Sequence, residues 1–193
     1  MIDMQNLLKN KYTKTFIDLC DVKLNSNTYI FQVNIDDSSK SLKQVITEYI
    51  KSKCFKEDIL IQNAERNHLN YGIYDKTTRK YSEYYFSGEF YIPNFYLKIS
   101  KRSIDEIEKE LTYILDLDEK DSIVKLFLSQ IIKENYEKNN TVNGFCVQPD
   151  FLHFETHKES ADYFPYFSGS SGDRCFIFTT KQNAYVLLMN GDI

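Results

Sequence analysis

The residues whose types and spacing come closest to a chemical site lie in HFETH, residues 153–157. Alternate side chains of a β-strand share a face, so a strand here would place His153, Glu155 and His157 together. Two imidazoles and a carboxylate form a ligand set that zinc or iron accepts. Neighbours on one strand face stand about 7 Å apart, however, and the third histidine, His68, is far along the chain. A polar stripe facing solvent is the alternative interpretation.

A loop rich in serine and glycine interrupts FPYFSGSSGDRCFIF, residues 164–178. Its GSSG stretch is one residue short of a nucleophile elbow. It lacks the lysine of a P-loop, and the strand-like residues that follow do not fit a dinucleotide fingerprint. Glycine and serine are typical of a tight loop, while backbone amides beside Arg174 are an alternative contact for an anion or a partner. The sequence therefore predicts no catalytic residue and no cofactor.

Charge is distributed unevenly over the two halves of the chain. Residues 1–100 carry 14 basic and 12 acidic side chains, a net +2, whereas residues 101–193 carry 10 basic and 16 acidic ones, a net −6. The total of −4 disfavours a general nucleic-acid surface. An acidic half can steer a basic partner, or it can simply be solvated. The acidic run at residues 116–121 is predicted to be a solvated turn between two helices.

Aromatic residues are concentrated in YSEYYFSGEFYIPNFY, residues 81–96, of a chain with 15 tyrosines and no tryptophan. Half of these rings are expected in the core, and the others are of the kind enriched at binding hot spots. An aromatic sheet face can also stack nucleic-acid bases, but that use normally needs a basic surround. Only Lys76, Arg79 and Lys80 cluster nearby. A core and a protein interface are the favoured explanation.

The periodicity of apolar residues predicts the elements that position these side chains. Helices are predicted over residues 3–20, over 38–53 with a serine N-cap at the start, from a capping box at Ser103 to about residue 115, and over about 119–136. Strands are predicted at residues 28–34, in an antiparallel meander over 57–99 with a hairpin turn at 75–80, and in a second run after Gly144.

The order of these elements indicates an α+β fold. Strands occur in runs instead of alternating with helices, so we expect a largely antiparallel sheet of about eight strands in two runs, packed against four helices. A chain of 193 residues suits one domain over residues 1–193. A subdivision of this domain near residues 100–140 is the alternative, because a pair of helices lies there between the two runs of strands.

The compartment is predicted from what the sequence lacks. The four cysteines, at positions 20, 54, 146 and 175, form no CxxC pair and have apolar neighbours, as expected of buried free thiols. The first residues do not have the pattern of a signal peptide, and no apolar run reaches the length of a membrane span. A cytoplasmic protein without a membrane partner is predicted.

Residues 164–178 resemble a segment of the SUKH group of bacterial immunity proteins. The matching features are the aromatic-Pro-aromatic step at residues 164–167, the Gly-Asp pair at 172–173, and the aromatic strand at 175–178. The likeness covers about fifteen of the 193 residues. It implies a small cytoplasmic protein, without catalytic motifs, that blocks a toxin by binding it.

The favoured hypothesis is therefore a non-enzymatic inhibitor, an immunity protein that binds a basic toxin domain. The residues predicted to contact that partner lie in the acidic half: Glu155, Glu159, Asp162, Ser168, Ser170, Ser171, Asp173 and Arg174. A metal-dependent hydrolase that uses His153, Glu155 and His157 is one alternative. A nucleic-acid-binding module that uses the tyrosine-rich sheet is the other, and the charge makes it the less favoured.

Overall fold

The structure is a computed structural model in which four helices have defined bounds. It describes residues 9–24, 27–35, 39–52, 54–55, 58, 62, 74–75, 80–81, 99–118, 121–136, 143–147, 153–155, 163–165, 174–180 and 182–190. The helices are α1 (Lys11–Lys23), α2 (Leu42–Ile50), α3 (Ile104–Ile114) and α4 (Ile123–Tyr136). The prediction of four helices is confirmed. Residues 54, 55, 58 and 62 are also helical.

The strands of the described residues are all paired antiparallel. They are β1 (Asn27–Asn34), β2 (Tyr74–Asp75), β3 (Lys80–Tyr81), β4 (Ile99–Arg102), β5 (Asn143–Val147), β6 (His153–Glu155), β7 (Tyr163–Pro165), β8 (Arg174–Thr179) and β9 (Asn183–Asn190). The main sheet has five strands in the order β1-β9-β8-β5-β4. The α+β class with an antiparallel sheet is therefore confirmed.

The predicted sheet of about eight strands in two runs is wrong in detail. The pairs β2·β3 and β6·β7 each form a separate two-stranded sheet. β1, which comes before both predicted runs, joins the main sheet by pairing with β9. In the predicted meander, Asp58 and Gln62 are helical where EDILIQ suggested a strand. Tertiary contacts at helical spacing, from Asp58 to Tyr49 and from Gln62 to Ile30, prevail there over the β-branched composition.

Both faces of the main sheet are covered, which gives a three-layer arrangement. On one face, α1, α3 and α4 pack over alternate residues of β1, β8 and β9, among them Ile30, Phe176 and Leu187. The other face buries the intervening residues, such as Phe31 and Ile177, together with residues of α2. This explains why β8 and β9 are continuous apolar runs instead of alternating sequences: both faces lie away from water.

The helical layer is centred on α4. The rings of Phe16 in α1 and Phe127 in α4 stack with centroids 4.0 Å apart and planes 4° from parallel. Asn10 caps α1 by accepting hydrogen bonds from the backbone N–H groups of its first turn, and its Nδ2 donates to Gln130 Oε1 of α4 at 3.0 Å. Helix α1 is thus attached to α4 at its start and along its length.

The cysteines are only partly as expected from their apolar neighbours. Cys20 and Cys175 are buried and outside any disulfide, but Cys54 is exposed. Its neighbour Phe55 is buried and packs toward α2 and β1. On a helical turn adjacent residues point in different directions, so the burial of Phe55 leaves Cys54 toward solvent. The side chain of Cys146, in β5, lies outside the described residues.

Gly144 allows α3 to approach the sheet closely. A Cβ at this position would lie 2.6 Å from Ile107 Cδ1, 3.0 Å from the Arg102 carbonyl oxygen and 3.3 Å from Ile104 Cδ1. Ile107 is itself fully buried, so its methyl group has little room to move. Glycine is therefore required at this point of β5 by the packing of the helix.

Replacing Gly144 with alanine is expected to lower the free energy of unfolding by about 1.5 kcal/mol, because the added methyl overpacks the contact with Ile107. Urea denaturation of the variant measures this loss. In a G144A/I107V variant the Cδ1 methyl is absent, so the two changes should cost less together than the sum of the two single changes. Strict additivity would contradict the contact.

Candidate protein-binding surface

Helix α3 is fixed at both ends by local hydrogen bonds. At its start, Ser103 Oγ accepts from the Glu106 N–H at 3.2 Å, and the Glu106 carboxylate accepts from the Ser103 N–H at 2.8 Å. This confirms the predicted capping box. The box keeps Glu106 ionised: the backbone hydrogen bond from Ser103, followed by its hydroxyl, lowers the pKa of the Glu106 carboxyl.

The lowered pKa of Glu106 makes its contribution to folding stability depend on pH. Because the pKa of Glu106 is lower in the folded state, its contribution to stability is present above the ordinary glutamate pKa of about 4.3 and is lost as the pH falls through the folded value. Near neutral pH the side chain is a carboxylate at the surface, and it adds to the negative charge of the first turn.

The end of α3 is a Schellman motif with aspartate in the position that glycine usually takes. The Asp116 N–H donates to the Tyr113 carbonyl and the Leu117 N–H to the Thr112 carbonyl, both at 3.1 Å. Asp116 has φ 47°, a left-handed conformation that aspartate tolerates better than most residues. The chain leaves the helix in a defined direction, and Asp116 and Asp118 are exposed.

The outer side of α3 and the following turn carry most of the acidic imbalance of the chain. Residues 103–126 contain eight acidic and three basic side chains, a net −5, compared with −4 for the whole chain. Two of these acids have basic partners: Glu110 Oε1 accepts from Arg174 Nε at 2.8 Å, and Glu108 lies 3.7 Å from Lys125. The other described acids of this segment are exposed: Asp105, Glu106, Asp116, Asp118 and Asp121.

Tyr113 lies on the same helix as Asp105 and Glu106, one turn after the exposed Lys109, and is itself 85% exposed. The apolar face of α3, formed by Ile107, Leu111 and Ile114, is buried against the sheet, and Tyr113 lies off that face. Glu106 and Tyr113 are seven residues apart and therefore share one side of the helix. We call the set Asp105, Glu106, Tyr113, Asp116, Asp118 and Asp121 the α3 acidic surface.

A large exposed tyrosine ring is of the kind enriched at binding hot spots. The sequence contained a signal for it, because Tyr113 is an aromatic residue that does not fit the apolar periodicity of α3. From the sequence, the acidic run at residues 116–121 is predicted only to be a solvated turn. The exposure of the acids in this run agrees with that interpretation. The exposed Tyr113, near the end of α3, is in addition a residue suited to protein binding.

The residues predicted from sequence to contact a partner lie mostly outside the described residues. These are Glu159, Asp162, Ser168, Ser170, Ser171 and Asp173. Arg174 is described: it is half-buried at the start of β8 and pairs with Glu110 of α3. This ion pair joins the start of β8 to the helix that carries the α3 acidic surface.

The predicted metal ligands are located in part. His153 and Glu155 lie in β6, which pairs with β7 so that Glu155 is opposite Tyr163. The strand prediction is thus confirmed at these two positions. Their side chains are not among those described, and His157 lies outside the described residues. In the part of the chain that the structure describes, no three His, Cys, Asp or Glu side chains are grouped as metal ligands would be.

The tyrosine-rich segment is described at its start only. Tyr74–Asp75 pair antiparallel with Lys80–Tyr81, as predicted for the two sides of the hairpin. Residues 76–79 and 82–96 lie outside the described residues. None of the described helices is both long and apolar enough to cross a bilayer. Neither family models, nor curated proteins, nor solved structures match this chain.

Proposed function

We propose that this chain is a protein-binding inhibitor, an immunity protein that neutralises a bacterial toxin by direct contact. The observation that carries the proposal is the α3 acidic surface, in which the 85% exposed Tyr113 and five exposed carboxylates lie on one helix and the segment that follows it. The caps at both ends of α3 hold the helix in one conformation, so little conformational entropy is lost when a partner binds. The resemblance of residues 164–178 to the SUKH group supports the same function.

The charge of the surface selects the class of partner. Domains that act on nucleic acids bind phosphates through lysine and arginine. A helix and turn that carry five exposed carboxylates can complement such a basic surface and steer the two proteins together. In the bound state, the α3 acidic surface would occupy positions that phosphates take in the toxin's substrate, and Tyr113 would supply the apolar contact at its centre.

Charge reversal at one residue tests this proposal. The chain is used to capture proteins from its own host, and the captured basic partner is then titrated with wild type and variants at low and moderate salt. Asp118→Lys should weaken binding about tenfold at low salt, mainly through slower association, and the difference should shrink as salt rises. The matched control is Asp18→Lys, at an exposed position of α1, which makes the same change in net charge.

Three outcomes would count against the proposal. The first is capture of no stoichiometric protein. The second is equal weakening by Asp18→Lys and Asp118→Lys, because it would mean that only net charge matters. The third is a captured partner whose own activity is unaffected by a saturating amount of the chain, since an immunity protein must inhibit what it binds.

A further inference from the structure

Helix α3 is joined to its surroundings by two ion pairs as well as by its buried apolar face. Glu110 Oε1 accepts from Arg174 Nε of β8 at 2.8 Å, and Glu108 Oε1 lies 3.7 Å from Lys125 Nζ of α4. The first pair is also the better shielded, because the Arg174 side chain is 29% exposed and that of Lys125 is 61% exposed. We therefore expect the pair with Arg174 to hold the helix more firmly.

The two ion pairs lie on opposite sides of the buried face of α3. Residues two apart in a helix point about 160° away from each other, so Glu108 and Glu110 flank the buried residues on either side. Tyr113 follows Glu110 by three residues and Glu106 precedes it by four, and residues at these spacings are neighbours on a helix surface. The pair with Arg174 therefore borders the part of the α3 acidic surface that contains Tyr113, and the pair with α4 lies on the other side.

Arg174 is directed toward α3 by the alternation of side chains along β8. Phe176 and Phe178, two and four residues further on, are buried in the cluster that α1, α3 and α4 cover. The side chain of Arg174 shares their face of the sheet, and its neighbour on β9, Met189, is buried in the same cluster. The alternation that builds this core thus also brings Arg174 to Glu110.

Three roles for Arg174 differ in what its removal would do. As a charge it opposes a basic partner, so its loss, which takes the net charge from −4 to −5, would strengthen binding. As a partner contact, the role predicted from sequence, it could not be exchanged for an acidic residue. As a residue that acts through Glu110, it could be exchanged with Glu110, because the ion pair would form again with its charges reversed.

We propose that Arg174 is a positioning residue, which acts through Glu110 to hold the side of α3 that carries Glu106 and Tyr113, instead of contacting the partner. This inference rests on the proposed function, because it assigns Arg174 a role in binding at the α3 acidic surface. A surface that is held in one conformation loses less entropy on binding. When Glu110 is released, this side of α3 has more freedom, so the complex should dissociate faster.

Arg174→Met is compared with wild type by binding kinetics against the captured basic partner and by amide hydrogen exchange in the chain alone. Kd should rise about threefold through faster dissociation, although the more negative net charge favours association. The Leu117 amide, which donates to the Thr112 carbonyl at the end of α3, should exchange about threefold faster, as expected for one partly exposed ion pair.

Lys125→Met is the matched control for both measurements. It makes the same change in net charge and also removes a basic partner of α3, but on the side away from Tyr113. Its Kd and its Leu117 exchange should stay within a factor of about 1.5 of wild type. Glu110→Gln breaks the same pair as Arg174→Met from the other side, and Leu117 should exchange faster in it as well.

A charge exchange separates positioning from direct contact. The double variant Glu110→Arg/Arg174→Glu keeps the net charge at −4, so its Kd and its Leu117 exchange should return to the wild-type values. The inference is overturned if Arg174→Met binds as tightly as wild type, if Lys125→Met weakens binding equally, or if the double variant binds no better than Arg174→Met. Unchanged Leu117 exchange in Arg174→Met would overturn it without any partner.

The two proposals fail in different ways. A partner that is inhibited by wild type and binds Arg174→Met equally well would overturn the positioning role and leave the proposed function standing. Capture of no inhibited partner would overturn the proposed function, and the exchange of the Leu117 amide would still decide whether Arg174 holds α3.

Discussion

Replacing Phe127 with alanine is expected to lower the free energy of unfolding by about 3–5 kcal/mol, the range for deleting a fully buried phenylalanine. Phe127 has no exposed surface and stacks on Phe16, so alanine would leave a cavity between α1 and α4. Because α1 and α4 cover the same face of the sheet, relaxation of one helix into the cavity would disturb the other contacts of that layer. Urea denaturation followed by circular dichroism measures the effect.

Tyr113→Ala is the control for this measurement. It also removes an aromatic ring from the helical layer, but from a position that is 85% exposed, so stability should change by no more than about 0.5 kcal/mol. A Phe16→Ala/Phe127→Ala double variant should show coupling, because the stacked pair is lost with either ring. A loss for Phe127→Ala close to that of Tyr113→Ala would contradict the packing of α1 on α4.

The same Tyr113→Ala variant should have its large effect on binding. Tyrosine at the centre of an interface is a frequent hot spot, and its truncation there costs about 2 kcal/mol, or about 30-fold in Kd. The physical reason is that the ring buries a large apolar area in the contact, which alanine does not replace. Titration of the captured basic partner with wild type and variant gives the two dissociation constants.

Tyr12→Ala is the matched control for binding, because Tyr12 is a partly exposed tyrosine of α1, 37% exposed. It should leave Kd within a factor of about two, since it lies outside the α3 acidic surface. If Tyr12→Ala and Tyr113→Ala weaken binding equally, or if neither does, the partner does not bind at the end of α3 and the interface lies elsewhere.

The elements that the sequence predicted best are those fixed by neighbouring residues. Ser103 and Glu106 satisfy each other over three residues, so the start of α3 could be predicted from a local pattern. β8 and β9 were predicted because apolar, β-branched and aromatic residues are consecutive there. By contrast, Gln62 is hydrogen-bonded to a residue 32 positions away, and no local pattern indicates that contact. Its segment was therefore predicted to be a strand.

The candidate site could be predicted only in its chemical character. The excess of acids after residue 100 was evident from the sequence, and the structure locates a large part of it on α3 and the turn that follows. The pairing of Arg174 with Glu110, 64 residues away, depends on how α3 crosses the sheet. Because the sequence does not reveal that pairing, Arg174 was predicted to contact a partner together with the serine- and glycine-rich residues before it. That prediction, and the predicted metal ligands, concern residues that the described contacts do not test.

The proposed inhibition is tested most directly by titrating the activity of the captured basic partner with this chain. With both proteins well above Kd, activity is expected to fall linearly with added wild-type chain and to reach its minimum at one chain per partner. At concentrations near the wild-type Kd, Asp118→Lys and Tyr113→Ala should inhibit less than the same concentration of wild type. Full partner activity in the presence of excess wild-type chain would contradict the account.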